Sequence, residues 1–182
     1  LTQYACARAD LILVNINPSF EADDLKYALN HVQVKTLVMA DKTNHSNYVD
    51  IMKHIIPELG HDNSTTIKSK EVPHLEHIFV CGTKKHKGML NFEHLYRNHS
   101  IHESDELHKR EAHINYEDVA NIQFTSGTTG MPKAVVLTHH NILNNGRMLG
   151  SIMEYGPDSK LCICVPLYHC MGMVMGNLAA LN

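Results

Sequence analysis

Short apolar runs alternate with amphipathic segments in the first half of the chain, which predicts alternating strands and helices. Three of these runs, Leu11–Val14, Thr36–Met39 and Ile78–Cys81, are short enough to be buried strands. Strands that are apolar on both faces and separated by helices favour a largely parallel sheet covered by helices. The predicted fold class is therefore α/β.

Two amphipathic segments lie between these strands and predict helices. Acidic residues open the first one, where they suit the positive end of the helix dipole. The apolar positions at helical spacing are Leu25, Ala28, Leu29 and Val32 in the first helix and Tyr48, Ile51, Met52 and Ile55 in the second. Pro57 should end the second helix near Ile56, because proline disfavours helical backbone at the residue before it.

The second half of the chain opens with a polar, highly charged stretch that reads as a surface connection. The elements expected after it are strands at Val119–Phe124, Ala134–Leu137 and Leu161–Val165 and a helix from about His140 to Met153. Cys162 and Cys164 should be buried thiols on one side of the last strand. We expect a first α/β subdomain over residues 1–96, a polar connection over 97–117, and the start of a second α/β subdomain over 118–182.

Neither end of the chain carries a complete set of helix signals. Leu1–Ala9 reads as the last part of a helix, and Met171–Asn182 reads as a helix without a capping signal. We therefore expect an internal piece of a longer protein, from which a targeting segment cannot be judged.

Composition narrows the function classes. The 182 residues have a formal charge of −3, so there is no strongly basic surface for nucleic acid. No apolar run reaches the roughly 18 residues that span a bilayer. Five cysteines without framework spacing favour a reducing compartment. The pairs His74/His77 and His99/His102 lack matching ligands, so we expect surface histidines and no metal site.

The segment from Thr125 to Lys133 carries the clearest candidate chemistry. It combines four hydroxyl side chains, two glycines that let the backbone approach a ligand closely, and a lysine, and it has no carboxylate. Successive backbone N–H groups in such a loop can form an anion-binding nest. We therefore predict a polyphosphate site made by Thr125, Ser126, Gly127, Thr128, Thr129, Gly130, Met131, Pro132 and Lys133.

Two common phosphate loops do not fit this segment. A Walker A loop needs Gly-Lys-Ser/Thr in succession before a helix, whereas two residues separate Gly130 from Lys133 and a strand is predicted to follow. The Gly-x-Gly-x-x-Gly spacing of a dinucleotide site is also absent. From the residues alone, a Ser/Thr/Gly turn of a hairpin that binds nothing stays open as the alternative.

The stretch Ile122–Lys133 closely resembles the AMP-binding signature of adenylate-forming enzymes, the superfamily of acyl-CoA synthetases, luciferases and peptide-synthetase adenylation domains. Leu11–Pro18, Thr138–Asn141 and Pro166–Gly172 resemble further segments of that superfamily. In detail, Asn121–Phe124 and Pro166–Cys170 most resemble the corresponding segments of medium-chain acyl-CoA ligases.

The resemblance implies part of the N-terminal domain of an adenylate-forming enzyme, with mainly parallel sheets flanked by helices and the phosphate loop between two strands. Such an enzyme uses ATP and Mg²⁺ to convert a fatty acid into an acyl-adenylate and pyrophosphate, and CoA then forms the thioester. Its partners would be these small molecules and the C-terminal domain of the same parent chain.

Roles for individual residues follow from the same resemblance. Thr125–Lys133 would hold the β- and γ-phosphates of ATP. Tyr168, His169 and Gly172 would border the acyl pocket, with His169 as the catalytic residue and, when neutral, a donor of one hydrogen bond. Apart from the resemblance, Gly172 and Gly176 would allow close helix packing or leave room for an acyl chain. We expect five methionines to fill core space, with a fatty-acid tunnel wall as the alternative: Met148, Met153, Met171, Met173 and Met175.

The chain departs from the family pattern in two respects. The family usually has glycine after the motif lysine, where this chain has Ala134, and we expect a modest effect on affinity. The family's later motifs, which hold adenine and ribose and supply a catalytic lysine, fall beyond residue 182. We therefore expect these 182 residues alone not to turn over substrate.

Several alternatives stay open at this point. The chain could come from another carboxylate-activating ligase, 4-coumarate-CoA-ligase-like or luciferase-like, or it could be a truncated nucleotide-binding protein without catalysis. The expected location is the mitochondrial matrix, with the cytosol or the peroxisome as alternatives.

Overall fold

The chain folds into two compact units of helices and short strands. The computed structural model describes residues 1–62, 64–97, 101–126 and 130–181. The elements in chain order are α1 (Thr2–Arg8), β1 (Leu13–Asn15), α2 (Ala22–His31), β2 (Thr36–Ala40), α3 (Tyr48–Ile55), β3 (His77–Cys81), β4 (Leu90–Asn91), α4 (His94–Arg97), α5 (Ile101–Glu111), β5 (Val119–Thr125), β6 (Lys133–Thr138), α6 (His139–Ile152), a π-helix (Met171–Leu178) and α7 (Ala179–Leu181). One unit is Pro18–Ser100; the other, called the hairpin unit below, is Leu1–Asn17 with Ile101–Asn182.

The unit Pro18–Ser100 contains a parallel three-stranded sheet in the order β2-β3-β4, with Thr36 of β2 opposite His77 of β3. Helices α2 and α3 contact each other and bury their apolar faces, made of Leu25, Ala28, Leu29, Val49, Met52 and Ile55. The predictions of α2, β2, α3 and β3 are confirmed, and α3 ends at Ile55, directly before the predicted limit.

The hairpin unit contains a mixed sheet in the order β1-β5-β6. Strands β1 and β5 are parallel, whereas β5 and β6 are antiparallel. The antiparallel pair follows from the short connection between its strands, because parallel neighbours need a crossover of a dozen or more residues. With one parallel sheet and one mixed sheet beside helices, the predicted α/β class is confirmed.

Helix α6 packs closely on the π-helix and α7 because two of its residues are glycines. A Cβ atom at Gly146 would lie 3.1 Å from Cβ of Leu178, and one at Gly150 would lie 3.1 Å from the carbonyl oxygen of Ala179. The core at this contact consists of Ala120, Ile142, Met173, Val174 and Leu178. The sequence predicted helices at α6 and at Met171–Asn182, but it did not predict that the second helix has π-type hydrogen bonds.

The predicted strand Leu161–Val165 is wrong. Residues 161–165 form neither helix nor strand, and no strand of the described residues pairs with them. An apolar run becomes a strand only when a neighbour supplies backbone hydrogen bonds. The prediction that Cys162 and Cys164 are buried is wrong for the same reason, since both are exposed.

The methionine prediction holds at one position of five. Met173 is 1% exposed and belongs to the core. Met148, Met153, Met171 and Met175 are 64%, 55%, 51% and 38% exposed. Helical spacing alone therefore did not separate the buried methionine from the exposed ones.

The compact units do not follow the sequence boundaries proposed at residues 97 and 117. Residues 1–17 belong with 101–182 because β1 pairs with β5. The expected polar connection also contains helix α5, in which Arg110 and Glu106 form an ion pair one turn apart at 3.3 Å. Among the described residues, no helix is long and apolar enough to cross a membrane.

Candidate functional site

The segment predicted to bind phosphate closes the antiparallel hairpin of β5 and β6. Thr125 and Lys133 are opposite each other and form the last residue pair of the two strands, next to the connection between them. This pair is called the hairpin mouth below. Ser126 and Lys133 are exposed there, and Pro132 is half-buried. Gly127, Thr128 and Thr129 lie outside the described residues.

Gly130 has a backbone reason to be glycine. Its φ of 107° lies in the region that residues with a Cβ rarely adopt. Within the part of the chain that the structure describes, no atom beyond the chain neighbours lies within 4 Å of the place that a Cβ would occupy, so the backbone conformation is what favours glycine here.

The charged lysine and arginine residues within the hairpin sequence and the helix after it have one sign. From Val119 to Met153 the sequence contains no aspartate or glutamate, and Lys133 and Arg147 are its lysine and arginine. An exposed lysine beside hydroxyl groups, on a stretch free of carboxylates, suits an anion better than a cation.

The second group of predicted site residues lies on a turn that leads into the π-helix. The N–H of His169 donates to the carbonyl of Pro166 at 3.1 Å, and the carbonyl of His169 accepts from the N–H groups of Gly172 at 3.0 Å and Met173 at 2.9 Å. Tyr168 is half-buried and His169 is exposed. The turn therefore presents the imidazole at the surface on a hydrogen-bonded backbone.

The imidazole of His169 has a defined orientation. Its Nδ1 accepts the backbone N–H of Met171 at 3.2 Å, and the sulfur of Cys170 lies 3.6 Å from the same nitrogen. Because a backbone N–H can only donate, this bond assigns the lone pair to Nδ1 and, in the neutral ring, the proton to Nε2. His169 can therefore donate one hydrogen bond from Nε2 outward.

Gln123 joins the two groups, and the sequence analysis missed it. Its side chain is 6% exposed, and its Nε2 donates to the carbonyl of Tyr168 at 2.8 Å. Its Oε1 accepts from Nδ2 of Asn15 on β1 at 3.4 Å. Gln123 lies two residues before Thr125 on β5. The same strand therefore includes one residue of the hairpin mouth and contacts the turn Pro166–Met173, which is called the histidine turn below. The available signal in the sequence was the alternation of the polar residues Asn121 and Gln123 with apolar residues in a predicted strand.

Gly172 is needed for packing within the turn. A Cβ atom at this position would lie 2.4 Å from the carbonyl oxygen of Pro166 and 3.0 Å from Cα of Leu167. The turn from Pro166 thus folds directly over Gly172. At Gly176 a Cβ would meet the side chain of Ile163 at 3.0 Å, so both glycines allow close approach.

The whole chain matches one protein family, AMP-binding enzyme, over residues 1–182. The chain belongs to this family. The medium-chain acyl-CoA ligase ACSF2, mitochondrial, of Danio rerio is 35% identical over 180 residues, which cover 98% of this chain and 30% of that protein. The human protein of the same name is 34% identical over 185 residues, covering 100% of this chain and 30% of that protein.

Solved structures agree with this assignment. A long-chain-fatty-acid-CoA ligase, FadD1 of Archaeoglobus fulgidus, superposes with a TM-score of 0.65 at 25% identity, covering 99% of this chain and 30% of that one. Mycobacterium smegmatis MbtA superposes with a TM-score of 0.73 at 17% identity, covering 98% and 29%, and supports the fold alone.

The resemblance of the sequence to acyl-CoA synthetases is confirmed by these comparisons. The chain spans about a third of the length of the curated relatives it matches. The roles of Thr125–Lys133, Tyr168, His169 and Gly172 stay predictions. Among the residues that the structure describes, no group of three or more histidine, cysteine, aspartate or glutamate side chains could hold a metal ion.

Proposed function

We propose that this chain supplies the phosphate-binding and acyl-binding part of an ATP-dependent ligase that joins a fatty acid to CoA. The observation that carries the proposal is the hairpin, whose mouth pairs Thr125 with Lys133 on a stretch without carboxylates. The family assignment and the names of the relatives support the same reaction class.

In the proposed first step, the fatty acid carboxylate attacks the α-phosphorus of ATP. The bond from that phosphorus to the bridging oxygen breaks, an acyl-adenylate forms, and pyrophosphate leaves. Negative charge collects on the leaving group, so N–H, O–H and ammonium donors placed there lower the barrier. Lys133 and the hydroxyl groups of Thr125 and Ser126 are the described donors for this charge.

We assign His169 to orientation of the acyl group. With Nδ1 bonded to the backbone of Met171, the ring offers its Nε2–H to an oxygen of the carboxylate or adenylate. In the second step the CoA thiol attacks the acyl carbonyl and AMP leaves. No protein ligand for Mg²⁺ is assigned, and the ion would enter with the phosphates of ATP.

The first test measures ATP binding to the complete gene product by calorimetry. Lys133→Ala should weaken binding about ten- to a hundredfold, because a hydrogen bond to a charged group contributes about 1.5–3 kcal/mol. Lys133→Arg should retain most of the affinity. Lys160→Ala, at an exposed lysine of the same unit, is the matched control and should bind like the unsubstituted chain.

The second test separates the half-reactions in the complete gene product. Lys133→Ala should slow adenylate formation from octanoate and ATP far more than thioester formation from preformed octanoyl-adenylate. Equal loss in both steps would mean that the hairpin is only structural.

The acid substrate is tested by comparing octanoate with acetate, palmitate and 4-coumarate. We propose medium-chain fatty acids because relatives at 34% and 35% identity carry that name. A preference for 4-coumarate would replace the fatty-acid proposal without affecting the ligase. Because those relatives are named mitochondrial, we propose the mitochondrial matrix as the location, to be checked by fractionation.

A further inference from the structure

Two cysteines stand side by side on the segment that precedes the histidine turn. The sulfurs of Cys162 and Cys164 lie 3.5 Å apart, and both residues are exposed. Ile163 between them contacts the π-helix, since a Cβ at Gly176 would lie 3.0 Å from its Cγ2. The thiols therefore lie together at the surface, on either side of Ile163 in the sequence.

We propose that Cys162 and Cys164 form a dithiol site that reacts with small disulfides of the glutathione class and closes a reversible disulfide. The thiolate of one cysteine attacks a sulfur of the reagent, which forms a mixed disulfide and releases one reagent thiolate. The other cysteine thiolate then attacks the protein sulfur of the mixed disulfide. The Cys162–Cys164 bond forms, and the second reagent thiolate leaves.

The small disulfide is the oxidant in this reaction. Two protein thiols are oxidised and give up their protons, while one small disulfide is reduced and takes up two protons as two thiols. No metal, nucleotide or further oxidant takes part, so the reaction does not depend on the proposed ligase activity.

The other three cysteines of the chain are worse placed for this reaction. Burial raises the pKa of the Cys6 thiol, and desolvation also raises the pKa of Cys81, which lowers the fraction of reactive thiolate. Cys170 is half-buried, and its sulfur lies beside Nδ1 of His169 rather than beside a second sulfur that could close a disulfide. All five cysteines are free, and the pair at 162 and 164 has a second sulfur within contact distance.

The ring that a Cys162–Cys164 bond closes is small, because only Ile163 separates the two cysteines. A disulfide holds its two Cα atoms about 4.4–6.8 Å apart, so the bond would restrict the backbone at Ile163. This restriction favours a bond that a dithiol reagent reopens rather than a permanent crosslink.

The test uses the reduced chain, treated with an excess of oxidised glutathione and then alkylated. We expect oxidation to remove two hydrogen atoms before alkylation. After alkylation, one peptide should carry the Cys162–Cys164 bond, and Cys6, Cys81 and Cys170 should be alkylated. Dithiothreitol should restore both thiols. Cys81→Ser, at an exposed cysteine of the other unit, is the matched control and should give the same internal disulfide.

Removing one member of the pair should trap the intermediate. In Cys164→Ser the glutathione adduct at Cys162 should be at least about tenfold more abundant than in the unsubstituted chain, because no neighbouring thiol can displace it. Equal adduct levels in the two proteins would overturn the proposal. A bond from Cys162 or Cys164 to one of the other three cysteines would overturn it as well.

Discussion

Replacing Gly172 by alanine should destabilise the hairpin unit, although alanine normally stabilises a helix. The new Cβ would lie 2.4 Å from the Pro166 carbonyl oxygen and 2.8 Å from its carbonyl carbon. Since close C···O contacts begin near about 3.3 Å, the two groups must separate by about 0.9 Å. Both contacts are with backbone, which cannot rotate away as a side-chain end can.

The size of the effect follows from two opposing contributions. Overpacking a tight site costs about 1–3 kcal/mol. Alanine recovers up to about 1 kcal/mol over glycine in a helix. We therefore expect the free energy of unfolding to fall by about 1–2 kcal/mol. The His169 carbonyl should also lose part of its bonding to the amides of Gly172 and Met173.

Urea unfolding followed by circular dichroism measures the stability change, and amide hydrogen exchange at residues 172 and 173 reports the turn. Gly156→Ala is the matched control, because no atom of the described residues beyond its chain neighbours lies within 4 Å of its Cβ position, and its stability should change by less than about 0.5 kcal/mol. Equal stability and equal exchange protection in Gly172→Ala and Gly156→Ala would refute the reasoning.

Two further predictions concern the ends of helices. Thr138 accepts the N–H of Asn141 at 3.2 Å and begins α6 with a reciprocal cap, so Thr138→Ala should lower the free energy of unfolding by about 1 kcal/mol in urea, while Thr138→Ser should keep most of it. A hydrogen bond from Arg8 lowers the pKa of Glu111 below its ordinary value of 4.5, so the pair stabilises the fold above that pH and its contribution is lost as the pH falls through the lowered pKa. Acid titration of Arg8→Gln should therefore show a smaller decline in stability below pH 4.5 than the unsubstituted chain, and an unchanged decline would contradict the assignment.

Elements that depend on local signals could be predicted from the sequence. Helix α3 needs only its apolar spacing and Pro57, and strand β5 needs only a run of strand-forming residues beside a glycine-rich loop. Strand β4 is two residues long and exists because it pairs with β3, which is information held in another part of the chain. The apolar run Leu161–Val165 failed in the opposite way, because no partner strand in the described residues lies beside it.

In the candidate site, too, local composition could be read from the sequence, whereas contacts between distant residues could not. The composition of Thr125–Lys133 predicted phosphate chemistry without any structure, because hydroxyl groups, glycines and a lysine are concentrated in one short segment. The contact of Gln123 with Tyr168 joins residues 45 positions apart, and only the folded chain shows it. The hydrogen bond on Nδ1 of His169 likewise depends on the path of the turn rather than on residue type.

The position of Gln123 on β5 fixes the distance between the hairpin mouth and the histidine turn. A strand advances about 3.3 Å per residue, so the bond to Tyr168 is anchored about 6.6 Å from the Thr125–Lys133 pair. That interval is set by covalent geometry and cannot stretch when the loop beyond it changes in length or sequence. A change at the tip of the hairpin would therefore leave the separation between its base and the histidine turn unchanged.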